Sequence, residues 1–239
     1  MNTASPQPGI APATSPRERM INVPPVTLIL VVFLVGVHLW RTYFLTEDQD
    51  MTVIIRLGFL PLNLHDYAFQ SIWPWISLVS YASLHFGWTH LIINATGLLA
   101  FGAGVERAFG MVRYLLVLVV GIIAGALAHY MFFPDGTTIL GGISAGLSAL
   151  FAVVMGLLQQ RRGWTGMIVP SLVWIGVNIV IGYVGIPGQV GMAIAWVAHL
   201  GGFIVGLLAL PCLMPAYKIC RPEGVRRFIA HILAQRLKK

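Results

Sequence analysis

Six long apolar segments dominate the chain; one long connection follows the first of them, and short stretches that contain Gly, Pro or charged residues separate the others. They occupy residues 26–45, 86–105, 112–133, 140–158, 167–186 and 190–212. Each is about 20 residues long, which is the length that an α-helix needs to cross the hydrocarbon core of a bilayer. The segments are continuously apolar and do not alternate with polar positions, which favours helices over barrel strands. The pattern predicts an all-α, polytopic membrane protein with a bundle of six transmembrane helices.

Two tails and one long connection make up the rest of the chain. Residues 1–23 are rich in Pro, Ala, Ser and Thr and have no apolar period, so they are predicted to form a disordered N-terminal tail. Residues 215–239 are predicted to be a basic C-terminal tail, which leaves residues 24–214 as the membrane domain.

The connection between the first two spans, residues 46–85, is unusually long and unusually apolar. Its aromatic side chains are predicted to lie at the outer membrane–water interface, partly exposed to water. They include Phe69, Trp73, Trp75 and Tyr81. The connection is either an interfacial anchor or a partly embedded loop that shapes lateral access to the bundle.

Composition and charge narrow the class of protein. Hydrophobic residues make up 57% of the chain and charged residues only 10%, with a mean hydropathy of +0.82. A soluble domain carries roughly a quarter charged residues, so a water-soluble monomer is excluded. The net charge of +7 is not gathered in a separate basic domain, which argues against nucleic acid as a partner. Two Cys near the C-terminal end form neither a disulfide framework nor a metal-binding motif.

The positions of the cations predict the orientation in the membrane. All of the 15 Lys and Arg residues except Arg41 and Arg56 fall on one side of the six predicted spans. The positive-inside rule places that side, with both termini, in the cytoplasm. The N-terminal segment lacks signal-peptide and organelle-targeting features, which favours the inner membrane of a bacterial cell as the location.

Polar side chains inside the spans are costly and are therefore candidates for function. They are His38, His90, Asn94, His129, Ser144, Ser148, Asn178 and His199. With a rise of 1.5 Å per residue, Ser144, His199 and His90 each lie about 25 Å from the cytoplasmic end of their span. Asn94 lies one turn deeper than His90, whereas Asn178 is expected to stand alone. Four polar groups from three helices are predicted to share one layer.

Small residues recur at four-residue spacing in the fourth and sixth spans. They are Gly142, Ala145, Gly146 and Ala149 in one, and Ala198, Gly202 and Gly206 in the other. Such faces allow two helix backbones to approach closely. Their packing would bring Ser144 within hydrogen-bonding distance of His199.

The predicted cluster has the groups that acyl transfer needs. A serine hydroxyl requires a base to accept its proton, and a neutral imidazole is suited to that role. Ser144 and His199 supply the pair. The developing oxyanion could be met by the backbone N–H of Ser144 or Ala145 and by the side chains of His90 and Asn94. Since the predicted spans contain no Asp or Glu, we expect a Ser–His dyad, with no metal and no cofactor.

Three other functions use the same types of residue. GGISAG fits the G-x-S-x-G elbow of soluble α/β-hydrolases, but the strand and the later acid that the elbow requires are missing. A zinc protease is disfavoured because the chain contains no HExxH. A channel or transporter lined by His90, Asn94 and His199 stays open. It does not explain a serine in a glycine-flanked turn at the same depth.

Four motifs, taken together, resemble a known family. HFGWTHLIIN at 85–94 is similar to an H-x-x-x-x-H-x-x-x-N signature, and GVERAFG at 104–110 to the segment that ends the same helix. GISAG at 142–146 and AHLGGFIVG at 198–206 follow in the family's order. Over residues 26–212 the chain resembles the rhomboid intramembrane serine proteases.

The resemblance implies a six-helix core whose active site opens to the extracytoplasmic side. It also implies that the protein cleaves transmembrane segments of other membrane proteins within the lipid bilayer. It implies Ser144 as nucleophile, His199 as general base, and His90 and Asn94 in the oxyanion site. His85 would be structural, at the junction of loop and helix.

Two positions depart from the family pattern. Ala145 stands where many members have Gly, and Ser148 stands where many bacterial members have an aromatic residue that packs on the histidine ring. The first change adds one methyl group beside the expected oxyanion site. The second implies that something else must hold His199.

Overall fold

The computed structural model describes residues 23–184 and 195–220, and in these ranges the regular elements are helical. The helices are α1 Pro25–Phe44, α2 Glu47–Leu57, α3 Pro61–Tyr67, α4 Trp73–Ser80, α5 Trp88–Gly97, α6 Ala103–Phe109, α7 Met111–Phe132, α8 Ser144–Val184 and α9 Trp196–Cys220. A 3₁₀ turn, Tyr81–Ser83, follows α4, and a π-helical turn, Leu98–Gly102, joins α5 to α6. The predicted all-α membrane fold is confirmed, since five helices in the described ranges are long and apolar enough to cross a membrane.

One of these five helices, α8, contains two spans that follow each other with no loop between them. Its 41 residues would extend about 60 Å as one straight helix, twice the thickness of a hydrocarbon core. Gly163, with φ 71° and ψ −171°, breaks the helical path between a first arm, residues 144–162, and a second arm, residues 164–184. Arg161 and Arg162 lie directly before the break. Counted by arms, the described residues contain six spans, in agreement with the hydrophobic pattern.

The second span is longer than predicted and contains a carboxylate. It runs over Trp88–Phe109 and therefore includes Glu106, so the prediction that the spans hold no Asp or Glu is wrong. The buried carboxylate accepts hydrogen bonds from Thr27 N (2.8 Å), Thr27 Oγ1 (2.7 Å) and Val26 N (3.1 Å). These amides open α1 and have no partner within their own helix, so a negative charge there is favourable. Glu106 lies three turns beyond Asn94 along the span, or about 18 Å, and is thus a structural cap remote from the predicted site.

Small residues bring the first arm of α8 against α7 and α9. A side chain on Gly202 would meet the Ala145 carbonyl, and one on Gly206 would meet the backbone of Ala149. Gly125 of α7 faces Ala145 and the Ala198 carbonyl, which lies 2.8 Å from where a Cβ would stand. Ala145 and Ala149 therefore pack against α9 as their spacing predicts. Gly146 instead faces Leu118 and Ile122 of α7, and Gly142 precedes the helix and belongs to a turn.

Gly202→Ala is expected to destabilise the folded bundle by about 1–3 kcal/mol, since the added methyl would overlap a backbone carbonyl that cannot rotate away. The matched control is Gly36→Ala in α1, where a Cβ has open space within 4 Å. Thermal unfolding in detergent measures both. Equal midpoints for the two variants would contradict the close approach of α8 and α9.

The long connection is tied to the chain that leads into α8. Phe59 N donates to Leu140 O (3.2 Å), Leu140 N donates to Phe59 O (2.8 Å), and Gly142 N donates to Tyr81 O (3.0 Å). Phe69, Trp73 and Trp75 are exposed, and their place at the outer interface stays a prediction. Tyr81 is not exposed, and the prediction for it is wrong: its ring is buried and its hydroxyl donates to Ile122 O of α7 (2.8 Å). The connection therefore helps to hold the turn that leads into α8.

Several predicted boundaries fall outside the described residues. The N-terminal tail lies there except for Val23, as do residues 221–239 of the C-terminal tail and the predicted start of the sixth span at 190. The division of the chain at residues 24 and 214 stays a prediction.

Candidate active site

Ser144 opens α8, directly after a tight turn that glycine makes possible. Gly142 has φ +105°, a region that side chains rarely adopt, and its amide is held by Tyr81 O. The helical hydrogen bonds begin with Leu147 N donating to Ile143 O (3.0 Å). The hydrophobic pattern placed the start of this span at Leu140, four residues early, because apolar residues continue through the turn. Ser144 is thus presented at a helix N-terminus.

His199 meets Ser144 from the first turns of α9. Its Nε2 lies 2.6 Å from Ser144 Oγ, which is hydrogen-bonding distance. Both residues are half-buried, and the contact joins the two helices whose small-residue faces pack below it. The structure therefore brings together the two side chains that equal depth and helix packing had predicted to meet.

His90 and Asn94 approach the same turn from α5. A Cβ placed on Gly142 would lie 2.6 Å from His90 Nε2 and 3.4 Å from Asn94 Nδ2. Both polar nitrogens therefore stand directly against the backbone two residues before Ser144. Asn94 is buried, and its Nδ2 also donates to His90 O one turn earlier in the helix (3.1 Å). Glycine at 142 is required for space as well as for its positive φ.

Backbone amides add to this side of the site. Ser144 and Ala145 belong to the first turn of α8, where N–H groups have no acceptor within the helix and the helix dipole favours negative charge. The extra methyl of Ala145 faces Gly125 of α7, and its carbonyl faces Gly202 of α9. Glycine on the neighbouring helix therefore accommodates the methyl group of Ala145.

Asn178 is the site residue that sequence reasoning missed. It lies in the second arm of α8, is buried, and has its Oδ1 2.5 Å from His199 Nδ1. The expectation that it stands alone in its span is wrong. Depth gives its layer but not its direction: Asn178 lies about 24 Å from Arg162 by helical rise and so shares the layer of Ser144 and His199.

Ser148 and His85 lie close to the site without joining its contacts. Ser148 Oγ donates back to Ser144 O (2.9 Å), a bond within its own helix. His85 is buried with its ring centroid 5.0 Å from that of His90. Burial, with a smaller contribution from His90, lowers the pKa of His85 to about 3, so its ring is neutral. Arg41 Nη1 donates to the His85 carbonyl (3.1 Å), which fixes the chain just before α5.

Among the residues that the structure describes, no three side chains of His, Cys, Asp or Glu come together in a group that could hold an ion. The arrangement is instead suited to proton transfer between a hydroxyl and an imidazole, with hydrogen-bond donors beside them.

Known proteins share this sequence pattern. The Rhomboid domain family model matches residues 72–216. The proteins named Rhomboid protease GlpG from Yersinia pestis and Yersinia pseudotuberculosis are each 29% identical to the chain over 190 residues, and the one from Photorhabdus laumondii is 27% identical. These alignments cover 77% of this chain and 60–61% of the relatives, so the chain spans about three fifths of their length.

The matched range begins in the long connection and ends in α9, so it includes every residue of the candidate site. It also accounts for more than half of the chain. By this match, and with six helical spans that carry the four motifs in order, the chain belongs to the rhomboid family.

Proposed function

We propose that this protein is a serine endopeptidase that cleaves transmembrane segments of other membrane proteins. The observation that carries the proposal is the 2.6 Å contact between Ser144 Oγ and His199 Nε2, which pairs a nucleophile with a base. Membership of the rhomboid family and similarity to proteins named rhomboid proteases support the same activity. A channel would not require this contact, because a polar path needs no hydroxyl paired with a base.

In the proposed reaction, Ser144 Oγ attacks the carbonyl carbon of the scissile peptide bond while its proton passes to His199 Nε2. The new oxyanion is stabilised by the backbone N–H groups of Ser144 and Ala145 and by the side chains of His90 and Asn94. Collapse of the tetrahedral intermediate breaks the C–N bond, and the leaving amine takes the proton from His199. A water molecule then gives one proton to His199 and attacks the acyl carbon. The ester bond to Ser144 Oγ breaks, and His199 returns the proton to Oγ, which restores both residues.

The activity is tested by incubating the detergent-purified protein with a generic single-span membrane protein beside the Ser144→Ala variant. The proposal predicts two fragments whose masses place the cut within or next to the transmembrane segment. It is contradicted if the substrate stays intact with protein shown to be folded, or if the Ser144→Ala variant cuts equally well.

We further propose that the protein lies in a bacterial inner membrane with both termini in the cytoplasm. Tags placed after Asp135 and within residues 46–66 are expected to react with an impermeant reagent in sealed spheroplasts, whereas a tag after Lys239 is not. The same tag after permeabilisation is the control for access. A C-terminal tag that reacts in sealed cells would reverse the orientation and place the site near the cytoplasmic side.

A further inference from the structure

Asn178 makes two contacts that fix the orientation of its amide. Its Nδ2 lies 2.8 Å from Trp174 O, one turn earlier in the second arm of α8, and its Oδ1 lies 2.5 Å from His199 Nδ1. A backbone carbonyl only accepts hydrogen bonds, so the group facing Trp174 O must be the NH₂. The amide oxygen therefore faces the imidazole, and the opposite assignment would set two acceptors against each other.

The orientation of the amide determines the tautomer of His199. Because Asn178 Oδ1 only accepts, the hydrogen in the contact belongs to His199 Nδ1. A neutral imidazole carries one N–H, so Nε2 is left with its lone pair, and Nε2 is the atom that lies 2.6 Å from Ser144 Oγ. This is the form that accepts a proton from serine, and the reverse tautomer cannot do so.

We propose that Asn178 is a positioning residue that holds His199 in the base-competent tautomer and ring orientation, extending the pair to a Ser144–His199–Asn178 relay. This inference rests on the proposed protease function. Asn178 then takes the position that an acid occupies in a Ser–His–Asp triad. It also supplies what the departure at Ser148 requires, since Ser148 bonds to Ser144 O and leaves the imidazole to be held from another helix.

The relay joins the two arms of α8. Ser144 begins the first arm and Asn178 lies in the second, with His199 of α9 between them. A displacement of the second arm that takes Asn178 Oδ1 out of hydrogen-bonding distance would free the imidazole to rotate about its side-chain bonds. The position of the second arm therefore determines whether the base is aligned.

Three substitutions at Asn178 separate this role from simple packing. Asn178→Ala removes the acceptor, Asn178→Leu removes it but keeps a side chain branched at Cγ, and Asn178→Asp keeps an oxygen that accepts from Nδ1 in either protonation state. The matched control is Ser171→Ala, because Ser171 lies in the same arm and its Oγ also bonds to the carbonyl one turn earlier, Met167 O. Each purified variant is assayed for kcat, KM, thermal midpoint and the rate at which a fluorophosphonate labels Ser144.

The labelling reaction needs no peptide substrate. Ser144 Oγ attacks phosphorus, the P–O bond forms, the P–F bond breaks to release fluoride, and the serine proton passes to His199. We expect Asn178→Ala and Asn178→Leu to lower kcat and the labelling rate about 10- to 100-fold with KM unchanged. Asn178→Asp should recover most of that loss, and Ser171→Ala should match the wild type.

Two results overturn the inference: activity of Asn178→Ala within about twofold of the wild type, or loss in Asn178→Asp as large as in Asn178→Ala. Should Asn178→Ala fail to fold, the comparison of Asn178→Asp with Asn178→Leu decides in the same way. Failure of the protease proposal itself looks different, because the folded wild type would then neither cleave a substrate nor label at Ser144.

Discussion

Ser144→Ala and His199→Ala are each expected to abolish cleavage of a membrane substrate, with a loss of roughly 10⁴-fold or more in kcat. The hydroxyl and the imidazole lie 2.6 Å apart and act as a unit, so removing either leaves the other without a partner in the first chemical step. Both residues are half-buried and lie where their helices begin, so neither substitution removes a large part of the packed core. We therefore expect thermal midpoints close to that of the wild type.

The double variant, which combines Ser144→Ala with His199→Ala, tests whether the two residues act together. If Ser144 and His199 are one unit, the loss in the double variant should equal the loss in Ser144→Ala alone. Ser171→Ala, a serine-to-alanine change in the second arm, controls for general effects of losing a hydroxyl from α8. Near-wild-type cleavage by either single variant, after contaminating proteases have been removed, would show that the pair is not the catalytic centre. A channel would instead retain its transport in Ser144→Ala.

Asn94→Ala is expected to lower kcat by a factor of roughly 10² to 10³ with little change in KM, as removal of one oxyanion donor does in soluble proteases. The amide gains no proton and loses none in the reaction, so it acts only on charge that develops in the transition state. Its Nδ2 lies against Gly142, beside the turn that presents Ser144, which is the place where such a donor is needed. Residual activity is expected from His90 and the backbone amides of α8.

A structural role for Asn94 predicts a different pattern. Asn94 also bonds to His90 O, and if it only stiffened α5, its loss would lower the thermal midpoint and leave kcat of the folded protein unchanged. Thr96→Ala is the matched control, since Thr96 is an exposed polar residue two positions later on the same helix. Turnover and melting are measured on the same purified sample. A lowered midpoint with undiminished kcat would remove Asn94 from the oxyanion site.

The span count and the meeting of Ser144 with His199 were predictable because both depend on distance along a helix. Bilayer thickness sets the length of each apolar segment, and a fixed rise per residue converts sequence position into depth. Small residues then identify which two helices approach closely enough for a hydrogen bond. The length of each apolar segment, the depth of each polar residue and the spacing of small residues can all be counted in the sequence.

Depth does not tell in which direction a side chain points around the helix bundle, and the missed contacts have that origin. Asn178 shares the layer of His199, but nothing in the sequence indicates that the second arm of α8 turns this amide towards α9. Tyr81 was predicted to be partly exposed to water from its place in the long connection, and its buried bond to Ile122 O depends on how that connection folds over α7.

Hydrophobicity also fails to distinguish a turn from a helix. The apolar run that begins at Leu140 includes the turn before α8, and only the positive φ of Gly142 reveals that the helix starts at Ser144. The second span was predicted to end at residue 105, but its helix continues through Glu106. The carboxylate of Glu106 accepts hydrogen bonds from the first amides of α1. At both boundaries a hydrogen bond joins the residue to a distant part of the chain, Gly142 N to Tyr81 O and Glu106 to the amides of α1.

The roles of Ser144 as nucleophile and His199 as base are tested most directly by identifying the residue that forms a covalent bond with a fluorophosphonate. The purified protein is labelled in detergent, digested, and analysed by mass spectrometry, with Ser144→Ala and His199→Ala treated in parallel. We expect one adduct, on the peptide that contains Ser144, absent from Ser144→Ala and strongly reduced in His199→Ala. An adduct on another serine of a cleaving enzyme, or labelling that does not depend on His199, would contradict these roles.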